Sequence, residues 1–189
     1  MLAGGRSSRF GRDKLAEPLD GRPLLDRAIE AVLAVAIDIV VVSRPDTTPT
    51  VPPGIRVAHD PRPFEGPLAG LAAGLAALDP GTRAVIVVAG DMPRLVPAVL
   101  DALATALAAN AAAGAAVLGH GDDRPPLPMA VERIAATEAA SRLLDAGERS
   151  LRALIRDLGA VVVAEADWRH LDPTAGSLLD VDAPGDLPT

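Results

Sequence analysis

The chain contains no cysteine, which excludes a disulfide framework, a thiolate metal site and a thiol nucleophile. Aromatic residues make up only 2% of it, so its core has to be built from aliphatic side chains. No stretch reaches the roughly 18 to 20 continuous apolar residues of a membrane span, and the N-terminal segment lacks the apolar centre of a secretory signal. An excess of positive charge is missing too. The formal net charge is −7 and the pI is near 4.9. Such a surface does not grip nucleic acid without regard to sequence, because phosphate neutralisation needs basic faces. These absences leave the cytoplasm as the expected compartment, with neither nucleic acid nor membrane as a partner. There is no internal repeat and no low-complexity linker beyond an alanine bias.

What remains is an aliphatic chain with one conspicuous polar segment. Its 189 residues are 49% hydrophobic, mainly Ala, Leu and Val, enough to bury most of the apolar surface of one domain over 1–189. The polar segment comes first: Leu2-Ala3-Gly4-Gly5-Arg6-Ser7-Ser8-Arg9-Phe10-Gly11-Arg12-Asp13-Lys14. Glycine lets the backbone adopt positive φ and bring N–H groups up to phosphate oxygens, while Arg and Lys supply charge that backbone dipoles do not. Within a net acidic chain this makes a local positive pocket rather than a basic face. The loop has neither the Gly-Lys-Ser/Thr of a Walker A motif nor the GxGxxG spacing of a dinucleotide fold. Only Met1 and Leu2 stand before Ala3, whereas a strand of about five residues usually leads into such a loop. The expectation is a start upstream of Met1, the alternative a central strand reduced to a stub and a loss of stability.

Strand and helix signals then alternate. Leu19-Asp20-Gly21 predicts a turn, and Leu24, Leu25, Ala28, Ile29, Val32 and Leu33 recur at the spacing of a one-sided helix. The β-branched run 37–42 predicts a buried strand ending at Ser43, and the prolines and threonines of 45–53 a loop. A short strand at 55–58 delivers His59 and Asp60, and Gly66-Pro67-Leu68-Ala69-Gly70 opens an alanine-rich helix to about 78. The apolar strand 82–89 stops at Gly90-Asp91-Met92-Pro93, before a helix at 96–109 and a strand at 115–118. This order implies right-handed crossovers and a mainly parallel sheet covered on both faces, an α/β, Rossmann-like three-layer sandwich. Beyond Gly119 the sequence predicts a polar loop and a strand at 127–131, assigned to an edge or bulge because of Pro128. Helices at 134–145 and 150–158, broken at Gly147, a strand at 161–163, a loop at 168–173 and a last short strand at 178–182 complete the pattern.

The opening segment resembles the signature loop, Leu-Ala-Gly-Gly-x-Ser-x-Arg-Phe/Met-Gly-x-Asp-Lys, of nucleotidyltransferases that join a nucleoside monophosphate to a phosphorylated acceptor. Within that superfamily the chain is most similar to the MobA-like molybdenum cofactor guanylyltransferases. Cytidylyl-transferring relatives usually read Leu-Ala-Ala-Gly, so the Gly4-Gly5 pair tilts towards guanylyl transfer. The resemblance runs from Leu2 through Leu187, with its blocks in order. It implies a fold of the nucleotide-diphospho-sugar transferase type, a nucleotide-binding part over about 1–118 and an acceptor-binding part with a C-terminal return over about 119–189. It implies an Mg²⁺-dependent reaction in which the terminal phosphate of molybdopterin attacks the α-phosphate of GTP and releases pyrophosphate. A monomer in transient contact with cofactor-handling proteins is the expected state. The nucleophile already carries negative charge, so no general base is required.

Residue by residue, the resemblance implies that Leu2, Ala3, Gly4, Gly5, Arg6 and Ser7 wrap the triphosphate, and that Lys14, Arg9 and Asp91 form the catalytic set. Arg6, Arg9 and Lys14 would share the phosphates, since charge neutralisation and in-line positioning carry most of phosphoryl transfer. Asp91 ends an apolar strand, and the ligand crevice of an open α/β sheet lies beyond such ends. A carboxylate there suits Mg²⁺, which takes one or two carboxylates with phosphate oxygens and water; the competing reading is an N-cap. Asp182, in Val181-Asp182-Ala183-Pro184-Gly185-Asp186-Leu187, is its expected companion or the N-cap of a helix opening on proline. Ala183 and Gly185 depart from the family's Thr and Glu. In the family an aspartate at the place of Asp60 is associated with the guanosine, the turn at Gly66, Pro67 and Leu68 shapes the pocket wall, and Ser43 stands at a small polar nucleotide contact. Arg124, Arg149 and Arg152 are candidates for the acceptor's phosphate and pterin, although Ser150 also reads as an N-cap and Arg152 as an exposed helix residue. Trp168 is expected to pack the C-terminal segment. Two other functions compete: a transferase using CTP or another phosphorylated acceptor, and a nucleotide-binding regulatory domain without turnover.

Overall fold

In the computed structural model, which describes residues 1–4, 14–61 and 65–181, β-branched runs become strands and one-sided apolar stripes become helices. Asp20 and Gly21, both at positive φ, reverse the chain between β1 (Pro18–Leu19) and β2 (Arg22–Pro23), which leads into α1 (Leu24–Leu33). There follow β3 (Val40–Ser43), β4 (Arg56–His59), α2 (Pro67–Ala77), β5 (Ala84–Val87), α3 (Pro97–Ala109) and β6 (Ala115–Leu118), in the predicted alternation. β7 (Met129–Glu132), α4 (Arg133–Asp145), α5 (Leu151–Asp157), β8 (Val161–Val163) and α6 (Glu165–Trp168) come after.

β3 pairs with β4 in parallel, and β5, β7, β6 and β8 form a second ladder in that order. Leu2 bridges Val42 on one side and Ala89 on the other, both in parallel. Residues 1–3 therefore weld the two ladders into one sheet. β7 runs antiparallel to β5 and β6, while β6 and β8 are parallel, so the sheet is mainly parallel as predicted. Side chains alternate across it. Val117 of β6 and Met129 of β7 meet Leu71 of α2 and Leu154 of α5 on one face, whereas Ala116 and Ala130 meet Leu103 of α3 and Trp168 on the other. The α1 side adds Ile29 and Val32 against Val41 and Leu100. Both cores draw on residues from each half of the chain.

Three details differ from expectation. β7 lies in the interior of the sheet, not at an edge: Pro128 precedes the first paired residue, Met129, so its missing N–H takes no bond from the ladder. Residues 165–168 coil into the short helix α6, with the turn beginning after Trp168. No strand forms at 178–181; Gly176–Leu178 is a 3₁₀ turn, and Val181 bonds to the loop after β5 instead. Trp168 packs as expected, fully buried against α3, β6 and Leu178, with Nε1 donating to the Gly119 carbonyl at 2.9 Å. Among the described residues no helix is long and apolar enough to cross a membrane.

Candidate active site

Parallel strands deliver their carboxyl ends to one rim of the sheet, and the polar residues singled out by the sequence collect there. Residues 1–3 lead into Gly4, β3 ends on Ser43, β4 is followed by Asp60, and β5 leads through Gly90 to Asp91. Gly90 matters to the geometry. A Cβ there would lie 3.1 Å from a Leu25 methyl and 3.4 Å from one of Leu15, closer than a packed core accepts. Its absence lets the 3₁₀ turn Lys14–Ala16 settle on the strand tip.

Lys14 consequently reaches Asp91. Its Nζ lies 2.5 Å from Asp91 Oδ2, with the two side chains 11% and 16% exposed. The same ammonium donates to the Val181 carbonyl at 3.1 Å, and the Val181 N–H donates to the Asp91 carbonyl at 3.0 Å. Three distant segments are thus knotted at one point: the end of the basic loop, the β5 tip and the C-terminal return. Among the described residues, Asp91 Oδ1 is buried with no hydrogen-bond partner. A buried acceptor without a donor is costly unless a cation or ligand meets it.

The nucleotide-side candidates are less uniform. Gly4 is packed loosely, since a Cβ there would approach Arg44 and Ser43 no closer than 3.9 Å. Leu2 gives both main-chain groups to the sheet, donating to Val88 and accepting from Gly90, and Ala3 donates its N–H to Val42. Ser43 is buried, and its hydroxyl donates to the Thr47 carbonyl at 2.9 Å, with His59 Nδ1 3.1 Å away. That serine holds the β3–β4 loop. Asp60 is buried beside α2, with one oxygen 3.8 Å from where a Gly70 Cβ would stand, and its N–H donates to the Ser43 carbonyl. Gly66 has φ +99° and caps α2, with Pro67 as its first residue; Leu68 is a core residue. Gly5, Arg6, Ser7, Arg9 and Asp182 lie outside the described residues.

On the acceptor side, Arg124 and Arg152 are exposed and gather around Asp123: Arg152 Nη1 pairs with its carboxylate at 3.1 Å and donates to the Arg124 carbonyl at 3.2 Å. Arg149 is turned differently. Its guanidinium donates to the carbonyls of Leu144 and Glu148 at 3.0 and 2.9 Å and pairs with Glu65 at 3.4 Å. Its carbonyl accepts from the Leu68 N–H, and a Cβ at Gly66 would lie 2.9 Å from it. Arg149 therefore ties the α4–α5 elbow to the Gly66-Pro67-Leu68 turn. Ser150 caps α5, accepting from the N–H groups of Arg152 and Ala153.

One organising residue escapes sequence reasoning. Asp172 is buried and accepts from the N–H groups of Ser177 at 2.7 Å and Gly176 at 3.0 Å and from the Thr174 hydroxyl at 3.1 Å. Burial by itself would raise its carboxyl, but these donors outweigh it and hold it below the ordinary carboxylate range. Ser177 in turn accepts from the Val96 N–H. This turn aims the chain at Val181, and its signal, Asp-Pro-Thr, was that of an Asx turn.

The family model of the MobA-like NTP transferase domain matches residues 1–168. The chain belongs to this family. A relative from Chloroflexus aggregans, named a probable molybdenum cofactor guanylyltransferase, is 36% identical over 191 aligned positions, covering 99% of this chain and 89% of the relative. One of the same name from Mycobacterium tuberculosis is 33% identical over 175 positions, covering 90% and 85%. The solved molybdopterin-guanine dinucleotide biosynthesis protein A of Archaeoglobus fulgidus matches with a TM-score of 0.77 at 25% identity, covering 98% of this chain and 92% of that one. As a MobA-like NTP transferase, the chain is a nucleotidyltransferase, with the nucleotide-diphospho-sugar transferase fold expected from its opening loop.

Proposed function

We propose that this MobA-like NTP transferase moves GMP from GTP to the phosphate of molybdopterin in an Mg²⁺-dependent reaction. The observation that carries the reading is the contact of Lys14, the residue that closes the glycine-rich basic segment of the sequence, with Asp91 at the carboxyl ends of parallel strands. The names of its relatives point the same way. An oxygen of the molybdopterin phosphate forms a new bond to the α-phosphorus of GTP. The bond from that phosphorus to the β-phosphate oxygen breaks, and pyrophosphate leaves with the electron pair. No covalent enzyme intermediate arises.

Lys14, with Arg6 and Arg9 of the loop, neutralises the phosphates. Asp91, whose Oδ1 has no donor among the described residues, suits a hard cation, and Asp182 follows Val181 directly. Bound there, Mg²⁺ would offset charge on the phosphate oxygens. Asp60 and the Gly66-Pro67-Leu68 turn form the guanosine side, and Arg124 and Arg152 the acceptor side. Arg149, its guanidinium engaged within the protein, positions that turn. The nucleotide-binding part is about 1–118 and the acceptor-binding part about 119–189, and a cytoplasmic monomer accords with the substrates. Pyrophosphate release is to be measured with molybdopterin and each of the four NTPs: turnover with GTP and Mg²⁺ is expected, and release from CTP at an equal rate, or from none, would overturn the reading.

A further inference from the structure

β6 runs parallel to β8, and β5 and β6 both run antiparallel to β7, so β5, β6 and β8 end on one rim. The chain that leaves β6 at Gly119 and re-enters the sheet at Met129 therefore starts and finishes on the rim that carries Asp91. Its first residues make a tight reversal. His120 N donates to the Asp123 carbonyl at 3.1 Å and Asp123 N to the His120 carbonyl at 3.0 Å, with Gly121 at φ +55° between them. Arg124, the acceptor-side candidate, follows at once.

Two other segments fix this reversal. Arg152 of α5 holds its exit, at the Asp123 carboxylate and the Arg124 carbonyl. The junction of β8 and α6 holds its entry and tip: Gly119 N donates to Val163 O, Trp168 Nε1 to Gly119 O and Gly121 N to Glu165 Oε2, each at 2.9 Å. The other Glu165 oxygen meets His120 Nδ1 at 3.1 Å, and Arg169, one helical turn on, stands 3.7 Å from it. Both oxygens of one carboxylate are thus engaged by the loop. The Gly121 N–H, above all, holds that carboxyl below the ordinary carboxylate range. With the His120 and Glu165 side chains 46% and 35% exposed, such a pair adds little to stability. Its effect is on where the loop lies.

We propose that Glu165 is a positioning residue for the transfer: by holding Gly121 and His120 it sets the place of Arg124 at the rim, and binding of the acceptor, not of the nucleotide, depends on its reach. The inference rests on the function proposed above and on its acceptor side. Across the rim the order is β4, β3, residues 1–3, β5, β7, β6 and β8. The nucleotide-side residues Ser43 and Asp60 thus stand on one flank of Asp91, and Glu165 and Arg124 on the other. Reach, rather than charge, is the operative property. A glutamine amide can make the same two contacts, its carbonyl accepting from the Gly121 N–H and its NH₂ donating to His120 Nδ1. Aspartate keeps the charge but is shorter by roughly 1.5 Å, which puts the Gly121 N–H out of hydrogen-bond range.

The test measures KM for molybdopterin and for GTP, by pyrophosphate release, in the parent and in Glu165→Ala, Glu165→Asp and Glu165→Gln. The Ala and Asp forms are expected to raise the molybdopterin KM by about tenfold, the factor that goes with one lost hydrogen bond to a charged group. Their GTP KM should stay within about twofold of the parent's, and the Gln form should restore the parental molybdopterin KM. The Asp form carries the comparison if the Ala form does not fold. Equal rises for both substrates would mark a merely structural role and overturn the proposal. So would an unchanged molybdopterin KM in the Ala and Asp forms, or a Gln form as poor as they are. A parent that turns over another nucleotide or acceptor would refute the function proposed above by itself, and the four forms are then compared on that pair; a parent with no turnover on any pair would overturn both.

Discussion

At Lys14 and Asp91 two opposite charges occupy a largely desolvated place 2.5 Å apart. Splitting such a pair is costly because the remaining charge stays buried without compensation. The two residues should therefore act as a unit. Asp91→Asn and Lys14→Ala are each expected to slow transfer by about 10²- to 10³-fold, the size of loss seen when one preorganised electrostatic group is removed. The double variant should be little worse than the poorer single one; steady-state kinetics of all four forms check this, and additive losses would show independent roles. Both residues were legible in the sequence because their surroundings were: a carboxylate after an apolar strand, and a lysine closing a glycine-rich loop. Ser43 and Arg149 were legible only as polar residues near a site. The direction of a hydroxyl towards Thr47, or of a guanidinium towards the Leu144 carbonyl, depends on how a loop and a helix end are folded, which residue type does not reveal.

Among elements, the turn 172–178 decides where the C-terminal return arrives. Asp172 gathers the donors of Ser177, Gly176 and Thr174, and Val181 then reaches both Lys14 and the Asp91 carbonyl. Asp172→Ala should lower stability by about 1 to 3 kcal/mol, the usual consequence of leaving buried donors unpaired, read as the difference in urea unfolding at neutral pH. Because the folded carboxyl sits below its ordinary value of 3.8, its ionised contribution is present above that value and is lost as pH falls through the folded one. The gap between variant and parent should accordingly narrow in strong acid. Sequence pattern placed α1, α2, α3, α4 and α5 to within a few residues, α1 by the one-sided spacing of its apolar residues. It missed α6, a single turn of four residues, and it put β7 at an edge because a proline weighs against an interior strand unless the pairing register, a tertiary property, is known.

For the whole molecule, the decisive feature is one mainly parallel sheet whose carboxyl rim holds the charged site and whose interior is stitched by residues 1–3. The alternation of strands and helices made the layers and the rim legible in advance; the strand order, with β7 reversed between β5 and β6, came from long-range pairing that no local pattern encodes. The stitching has a titratable consequence. In a protein that begins at Met1, burial pushes the Met1 amino group from 8.0 down to about 5, so the unfolded chain binds the extra proton between those values and stability rises with pH across that window. The charged residues lining the groove of about 1060 Å³ beside the Met1 nitrogen are Asp38, Arg56 and Asp79, of which Asp38 is held below the carboxylate range by its hydrogen bond from Arg56. Thermal melting from pH 5 to 8 should therefore show an upward slope that acetylation of the Met1 amine flattens; an equal slope after acetylation would assign it to other groups. The proposed function as a whole rests on a magnesium nucleotide binding at the paired Lys14 and Asp91. Its most direct measurement is calorimetric binding of GTP with and without Mg²⁺, to the parent and to Asp91→Asn. The prediction is that Mg²⁺ tightens binding to the parent by at least about tenfold, roughly 1.4 kcal/mol, and has no such effect on the variant. The same affinity in all four titrations would contradict it.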